Sequence, residues 1–137
     1  MELADEIMIP APLDRVYEGL NNIAILKYCI PGCEDLNWIS ENELEAKVTL
    51  KIGPVKAKFG GKVTLDTSNA PTKFSLSGEG DGGIAGFAKG GADVELVAGG
   101  DTTLLKYEAK AETGGKIAQL GGRLITSTAR KLSKMFF

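Results

Sequence analysis

The sequence predicts an α+β domain in which a curled antiparallel sheet of about seven strands wraps around one long C-terminal helix, with two short helices after the first strand. Three observations predict this class. Apolar and polar residues alternate through much of residues 33–112, as in strands with one buried face. After Gly114 and Gly115 the apolar residues return to helical spacing. At 137 residues the chain has the size of one domain, spanning 1–137.

The N-terminal part is predicted to form one strand and two short helices. A strand over residues 2–9 would end at Pro10, with four residues on one side: Leu3, Asp5, Ile7 and Ile9. A helix over residues 12–20 has proline in its first turn. A second helix over residues 22–30 begins at Asn22, a residue type that caps helix N-termini.

Six further strands are predicted before residue 113. The clearest covers residues 44–52, in which apolar residues alternate with charged or polar ones, and a Gly-Pro turn joins it to a partner over residues 55–65. Weaker alternation predicts strands near 34–40 and over 73–78, 84–97 and 102–112. The inward side of the strand over 84–97 would carry Ile84, Gly86, Ala88, Gly90, Ala92, Val94 and Leu96.

The last predicted element is a single helix that follows Gly115 and reaches almost to Phe137. Its buried face would carry Ile117, Leu120, Gly121, Leu124, Thr128, Leu132 and Met135. The economical arrangement lays this helix across one face of the sheet, so that each element buries its apolar side.

Composition excludes several classes of function. The chain has no histidine, so no site built on imidazole is available. With 16 basic and 18 acidic residues it has no global positive field for nucleic acid. No segment has about 20 consecutive apolar residues, and the acidic N-terminus is unlike a signal peptide, so we expect a cytoplasmic protein.

Two glycine- and cysteine-containing motifs have ordinary explanations. Cys29 and Cys33 have a spacing unlike that of zinc or thioredoxin motifs, so we expect reduced thiols, with a redox switch as the alternative. Residues 78–83 match G-x-G-x-x-G, but a strand-like segment follows where a nucleotide site needs a helix. The sequence predicts no bound metal ion and no cofactor.

Several segments together resemble the CoxG family, which is named for a subunit of carbon monoxide dehydrogenase and belongs to the START/Bet v 1-like (SRPBCC) superfamily. They are 30–34 (IPGCE), 52–59 (IGPVKAKF), 61–64 (GKVT), 76–80 (LSGEG), 86–90 (GFAKG) and 114–124 (GGKIAQLGGRL). The resemblance implies a helix-grip fold and a non-catalytic domain whose sheet and helix enclose an apolar cavity for a lipid or a quinone. It also implies an accessory role with carbon monoxide dehydrogenase or a related molybdenum hydroxylase.

The residues themselves give a separate reason to consider a cavity. Glycine makes up 18 of 137 residues, nearly double its usual share of about 7%. On the inward sides of neighbouring strands these glycines leave less volume than a filled core needs. Either a ligand fills the space, or the glycines let the sheet coil and the helix approach. The cavity would be lined by Leu50, Phe59, Val63, Phe74, Leu76, Gly78, Ala88, Gly90, Tyr107, Leu120 and Leu124.

Two features of the sequence are candidates for contact with a membrane or with a partner protein. Phe87, on the polar side of its strand, is a candidate gate at the cavity mouth. Residues 113–137 carry five basic residues and no acid, and four of the five form a stripe on the predicted helix: Lys116, Arg123, Arg130 and Lys134. The stripe fits anionic lipid at the inner face of the membrane or an acidic partner. A solvated helix is the alternative.

Three functions follow from these observations. The first is a non-catalytic carrier of a lipid or quinone. The second is a module that recruits or assembles the enzyme at the membrane without a ligand, through the basic stripe with Phe136 and Phe137. The third is a cyclase or hydrolase acting through Tyr107 or a loop carboxylate, for which the candidates are Glu34, Asp35, Glu79 and Asp81. Without histidine no acid–base pair can be named, so we expect no catalysis.

Overall fold

The computed structural model describes residues 2–136, with side chains described as far as Lys134. The expectations for Met135, Phe136 and Phe137 therefore fall outside the described side chains. The helices are α1 (Leu13–Leu20), α2 (Ile23–Cys29) and α3 (Gly122–Phe136). The strands are β1 (Glu2–Ile9), β2 (Cys33–Trp38), β3 (Glu43–Ile52), β4 (Val55–Asp66), β5 (Lys73–Asp81), β6 (Phe87–Gly99) and β7 (Thr102–Gly114). Two 3-10 turns cover Gly83–Ala85 and Gly115–Leu120.

The seven strands form one antiparallel sheet in the order β1-β7-β6-β5-β4-β3-β2. Each strand from β2 to β7 lies beside its neighbour in sequence, and β1 completes the sheet beside β7. α3 contacts β1 near one edge and β3 near the other, so it bridges the two sides of the sheet. The predicted fold class, a curled antiparallel sheet gripping a C-terminal helix, is confirmed.

Capping explains the two short helices. At the N-cap of α1, Pro12 has an extended backbone with a ψ of 155°. At the other end of the helix, the side-chain amide nitrogen of Asn21 donates to the carbonyl oxygen of Tyr17 at 2.8 Å. The Asn22 side chain caps α2 by accepting from the backbone N–H of Ala24 and Ile25. Both helices lie where the sequence predicts them.

Three boundaries differ from the prediction, and the first is that β5 continues to Asp81, beyond its predicted end at residue 78. The strand predicted from residue 84 begins at Phe87, because Gly83 (φ 63°) and Gly86 (φ 108°) adopt left-handed conformations that turn the chain. Ile84 therefore lies in a turn and is 91% exposed instead of facing inward. The predicted continuous C-terminal helix is interrupted at Gly121 (φ 91°), which separates the 3-10 turn Gly115–Leu120 from α3.

Of the eleven buried apolar side chains among the described residues, ten form three separate clusters between the inner face of the sheet and the helices and 3-10 turns, and Leu3 of β1 lies outside them. The first has Ile52, Phe59, Ala85 and Ile117 at its centre. The second has Val16, Leu96 and Leu105, packed against α1. The third has Leu26, Leu36 and Leu44, where α2 lies on β2 and β3. The core is thus divided among three places instead of filling the whole inner face.

Thr103 is a buried polar residue that fastens β7 to the segment between β1 and α1. It is 0% exposed, and its hydroxyl donates to the carbonyl oxygen of Ala11 at 2.8 Å. We expect Thr103→Val to lower the free energy of unfolding by about 1–2 kcal/mol, because the buried carbonyl loses its donor. Chemical denaturation would measure this. Thr64→Val, at an exposed position in β4, is the control and should change little; equal stabilities of both variants would contradict the assignment.

Candidate functional site

A band of small residues crosses the inner face of the sheet between the three clusters. The strand register places Gly80 beside Gly61 and Ala88, and Gly78 beside Gly90. On the inner face of β4 to β7 the band comprises Gly61, Gly78, Gly80, Ala88, Gly90, Ala92, Ala109 and Ala111. Among the described residues, these eight belong to none of the three buried clusters.

The band is not closely covered, although it lies on interior strands. Its four alanines point their methyl groups to the inner face, and all four are only half-buried. Ile125 and Leu132 of α3 are also half-buried, and within the described part of the chain they belong to none of the three clusters. A filled core would bury both sets. The band and α3 are therefore the two walls of a candidate apolar site.

Close backbone contact explains three of the four band glycines, including Gly78, where a Cβ atom would lie 2.9 Å from the carbonyl oxygen of Lys62. A Cβ atom on Gly90 would lie 2.1 Å from the carbonyl oxygen of Lys110, and one on Gly61 would lie 2.2 Å from that of Glu79. Only glycine lets these strands approach so closely. A Cβ on Gly80 would meet its nearest atom at 3.9 Å, which is ordinary contact. Close approach of the strands therefore explains most of the band glycines, and a ligand beside Gly80 stays a prediction.

The structure distributes the predicted cavity residues over four places. Phe59, Leu50, Leu120 and Leu124 lie in the first cluster. Phe74 and Tyr107 lie in the second, where the Phe74 ring meets Tyr17 edge-on with centroids 5.8 Å apart. Val63 packs against the third. The remaining four, Leu76, Gly78, Ala88 and Gly90, lie on or beside the band. The clusters border the band, and the assignment of these eleven residues to one cavity stays a prediction.

Phe87 lies on the outer face of the sheet. A Cβ atom on its cross-strand neighbour Gly114 would lie 2.2 Å from the Phe87 ring, so the ring covers this glycine. Phe87 is 47% exposed. This packing gives the aromatic ring a structural reason for its position, and the gate assignment stays a prediction.

The predicted basic stripe is divided by the interruption at Gly121. Arg123, Arg130 and Lys134 are exposed on α3, together with Lys131. Lys116 lies in the 3-10 turn Gly115–Leu120 and does not continue the helical stripe, which corrects the sequence prediction. The exposed side of α3 also lines a surface groove of about 770 Å³.

The four candidate carboxylates, which the sequence predicts in loops, lie in strands β2 and β5, and two of them have side-chain partners. Glu34 accepts from the Thr49 hydroxyl at 2.9 Å and lies 3.7 Å from the Lys58 ammonium. Asp81 accepts from the backbone N–H of Gly83 at 2.7 Å.

Burial raises the pKa of the Cys33 thiol, which disfavours the reactive thiolate. Among the described residues, no group of three potential metal ligands occurs.

Two depressions on the outer face of the sheet have a different character. They have volumes of about 830 and 750 Å³, and charged side chains such as Glu6, Asp93, Lys62 and Lys110 line them. An apolar molecule would find few partners there.

In residues 2–136, no helix has both the length and the apolar character that crossing a bilayer requires.

A family model described as CoxG, a subunit of carbon monoxide dehydrogenase, matches residues 6–137. The chain belongs to the CoxG family. Among curated proteins, no match is found. A conserved protein from Geobacillus kaustophilus is similar in structure with a TM-score of 0.92 and 30% sequence identity, over 100% of this chain and 90% of that one. The family and this likeness agree with the resemblance of the sequence motifs.

More distant solved structures share the fold of this chain. A START superfamily protein from Mycobacterium smegmatis gives a TM-score of 0.72 at 15% identity, over 98% of this chain and 92% of that one. The Zhui aromatase/cyclase from Streptomyces sp. R1128 gives 0.66 at 9% identity, over 98% and 87%. At these identities the likeness shows the fold alone. CoxG membership and this fold together suggest a ligand-binding accessory protein.

Sequence reasoning misses one exposed apolar residue. The alternation predicts Ile84 on the inward side of a strand, whereas Ile84 stands at the tip of a turn. A signal for the turn is present in the sequence, because Gly82 and Gly83 precede Ile84 and Gly86 follows it, and glycine clusters mark turns.

Proposed function

We propose that this protein is a non-catalytic carrier that binds the apolar tail of a quinone or a lipid between the small-residue band and α3. It would act as an accessory protein to carbon monoxide dehydrogenase or a related molybdenum hydroxylase. The observation that carries the proposal is the half-buried band between three well-packed clusters. Membership of the CoxG family supports the accessory role.

The chemistry of the walls favours a hydrocarbon tail. The band presents only glycine and alanine, and the half-buried residues of α3 include Ile125, Ala129 and Leu132. Removing apolar surface from water contributes about 25 cal/mol per Å², or about 0.8 kcal/mol for each buried CH₂ group. A chain of several isoprene or acyl units would therefore bind through its length, while its headgroup keeps contact with water. A small charged metabolite would gain little from these walls.

The proposal is tested by what the purified protein carries. We expect organic-solvent extraction followed by lipid mass spectrometry to give a prenylated quinone or a lipid in stoichiometric amount, and an unrelated protein from the same cells to give none. Protein stripped of its ligand should take up added quinone from detergent. An empty extract, together with no uptake of quinone, would contradict the carrier function.

A second candidate is an assembly module that needs no ligand. The exposed basic side of α3, with Arg123, Arg130, Lys131 and Lys134, favours it, because no acidic residue follows Glu112. The same extraction separates the two candidates, since an assembly module would carry no stoichiometric lipid and still associate with its enzyme.

A further inference from the structure

Three large apolar side chains lie side by side on the outer face of the sheet, and we call them the apolar row. The strand register places Leu104 of β7 between Met8 of β1 and Val97 of β6. Met8 is 60% exposed, Val97 is 41% exposed and Leu104 is half-buried. Charged side chains dominate the two depressions elsewhere on this face. Because the three are direct cross-strand neighbours, they form one continuous patch, whereas single exposed apolar residues are ordinary.

The next row of the outer face, two residues along each strand, alternates in charge, and we call it the charged row. From β1 to β5 its cross-strand partners are, in order, Glu6, Lys106, Glu95 and Lys73. Glu6 and Lys106 form an ion pair at 3.9 Å. All four residues line the same depression, so they face one space beside the apolar row.

The order of these charges is complementary to its own reverse. From β1 to β5 the charged row is negative, positive, negative, positive, and from β5 to β1 each sign is the opposite. Consider a second copy related by a twofold axis that runs parallel to the strands, between β7 and β6. This axis keeps each row at its own level and reverses the order of the strands. Lys106 then faces Glu95 of the second copy, and Glu6 faces Lys73 of the second copy.

We propose that a second copy of this chain docks on this end of the outer face and forms a twofold dimer. Leu104 faces Val97 of the second copy, so the two apolar rows leave water together. The charged rows form the polar rim of the interface. A twofold contact uses the same patch on both copies, which the self-complementary order of charges fits. The inference does not rest on the carrier function, because the small-residue band lies on the other face of the sheet.

The neighbouring residues limit the size of this interface. In the row that follows the charged row, Glu108 and Asp93 are cross-strand partners. In the same arrangement each would face an acid of the second copy, which is unfavourable, so the contact ends before this row. The apolar and charged rows are few residues beside the roughly 20–30 on each side of a standard interface. We therefore expect a weak dimer that forms at high protein concentration.

The test is sedimentation equilibrium of the full chain from micromolar to millimolar concentration. We expect a reversible rise in mass towards twice that of one chain. Val97→Ser should weaken association about tenfold, because the lost apolar contact occurs twice in a twofold dimer. A chain that stays monomeric over the whole range would overturn the inference and leave the apolar row to a different protein.

Charge reversal tests the twofold arrangement itself. Lys106→Glu places an acid opposite Glu95 of the second copy, and Glu95→Lys places a base opposite Lys106. Each variant alone should associate about tenfold more weakly than the unchanged chain, because two attractive contacts become repulsive. Mixed together, the two variants should associate at least as strongly as the unchanged chain, since each central contact then joins an acid to a base. A fluorescent label on one variant measures this.

Recovery in the mixture would also exclude misfolding as the cause of the loss, because misfolded variants could not restore the interface. If the mixture associates no better than either variant alone, the twofold arrangement is wrong. The matched controls are Lys89→Glu and Glu112→Lys, which change cross-strand partners on the same two strands, away from the apolar row. Both should dimerise as the unchanged chain does. Equal weakening by Lys89→Glu and Lys106→Glu would show a general effect of charge and overturn the inference.

Discussion

Replacing Ala109 with leucine is expected to weaken quinone uptake by about 30-fold or more. Ala109 lies on the band, between Leu3 of β1 and Ala92 of β6. Leucine adds three carbon atoms, which would occupy the space that we propose for the ligand tail. Each CH₂ group of the tail that is displaced into water loses about 0.8 kcal/mol of binding free energy. Titration of the stripped protein with a fluorescent or absorbing quinone in detergent would measure the change.

The matched control is Ala4→Leu. Ala4 lies in β1 beside Glu108, the residue that precedes Ala109, and it is exposed on the outer face. The two variants make the same chemical change on adjacent strands and differ in the face that they alter. Uptake by Ala4→Leu should equal that of the unchanged chain.

A second variant on the band tests whether any loss of uptake in Ala109→Leu comes from misfolding of that one variant. Ala88→Leu changes the band on β6, opposite Gly80, where a Cβ atom has ordinary contacts. Gly90, in contrast, is unsuitable, because any side chain there would meet the Lys110 carbonyl. If Ala109→Leu and Ala88→Leu both fold and both take up quinone normally, the band is not the binding site.

The sequence predicts the order of elements well because local rules specify it. Alternation in residues 44–52 and 55–65 predicts β3 and β4, and the Gly-Pro turn between them sets their register. Pro12 and Asn22 place the two short helices. These signals depend on neighbours in sequence, so a single chain is enough to recognise them.

Two features of the C-terminal half differ from what alternation and helical spacing predict. A 3-10 helix has three residues per turn and an α-helix has 3.6. Over the six residues Gly115–Leu120 the two periods give almost the same spacing of apolar residues, so the sequence pattern does not show the interruption at Gly121. Ile84 fits the alternation of β6, and only the backbone conformations of Gly83 and Gly86 turn it outward. Both errors come from glycine, whose conformation the sequence does not specify.

The division of the core also depends on contacts between distant segments. A glycine on the inward side of a strand predicts either close approach or empty space, and the choice depends on the neighbouring strand. At Gly90 a neighbouring carbonyl fills the position, whereas at Gly80 the nearest atom is 3.9 Å away from a built Cβ. The candidate site is therefore predictable as a region and not residue by residue.

The stability of two leucine variants is expected to differ widely, and this difference tests whether the band is an unfilled site. Leu105 is 1% exposed at the centre of the second cluster. Leu105→Ala should lower the free energy of unfolding by about 3–5 kcal/mol, because it leaves a cavity in close packing. Leu76 is half-buried beside the band. Leu76→Ala should cost about 1 kcal/mol in the ligand-free protein, since few close contacts are lost there.

Denaturation of the two variants in parallel, with and without quinone, gives the decisive comparison. In an unfilled site, ligand adds stability in proportion to the logarithm of its concentration, so quinone should stabilise Leu105→Ala by as much as it stabilises the unchanged chain. Leu76→Ala should lose part of this stabilisation, because the tail loses an apolar contact. If Leu76→Ala is as costly as Leu105→Ala without ligand, side chains already fill the space beside the band. The glycines would then serve only the close approach of the strands.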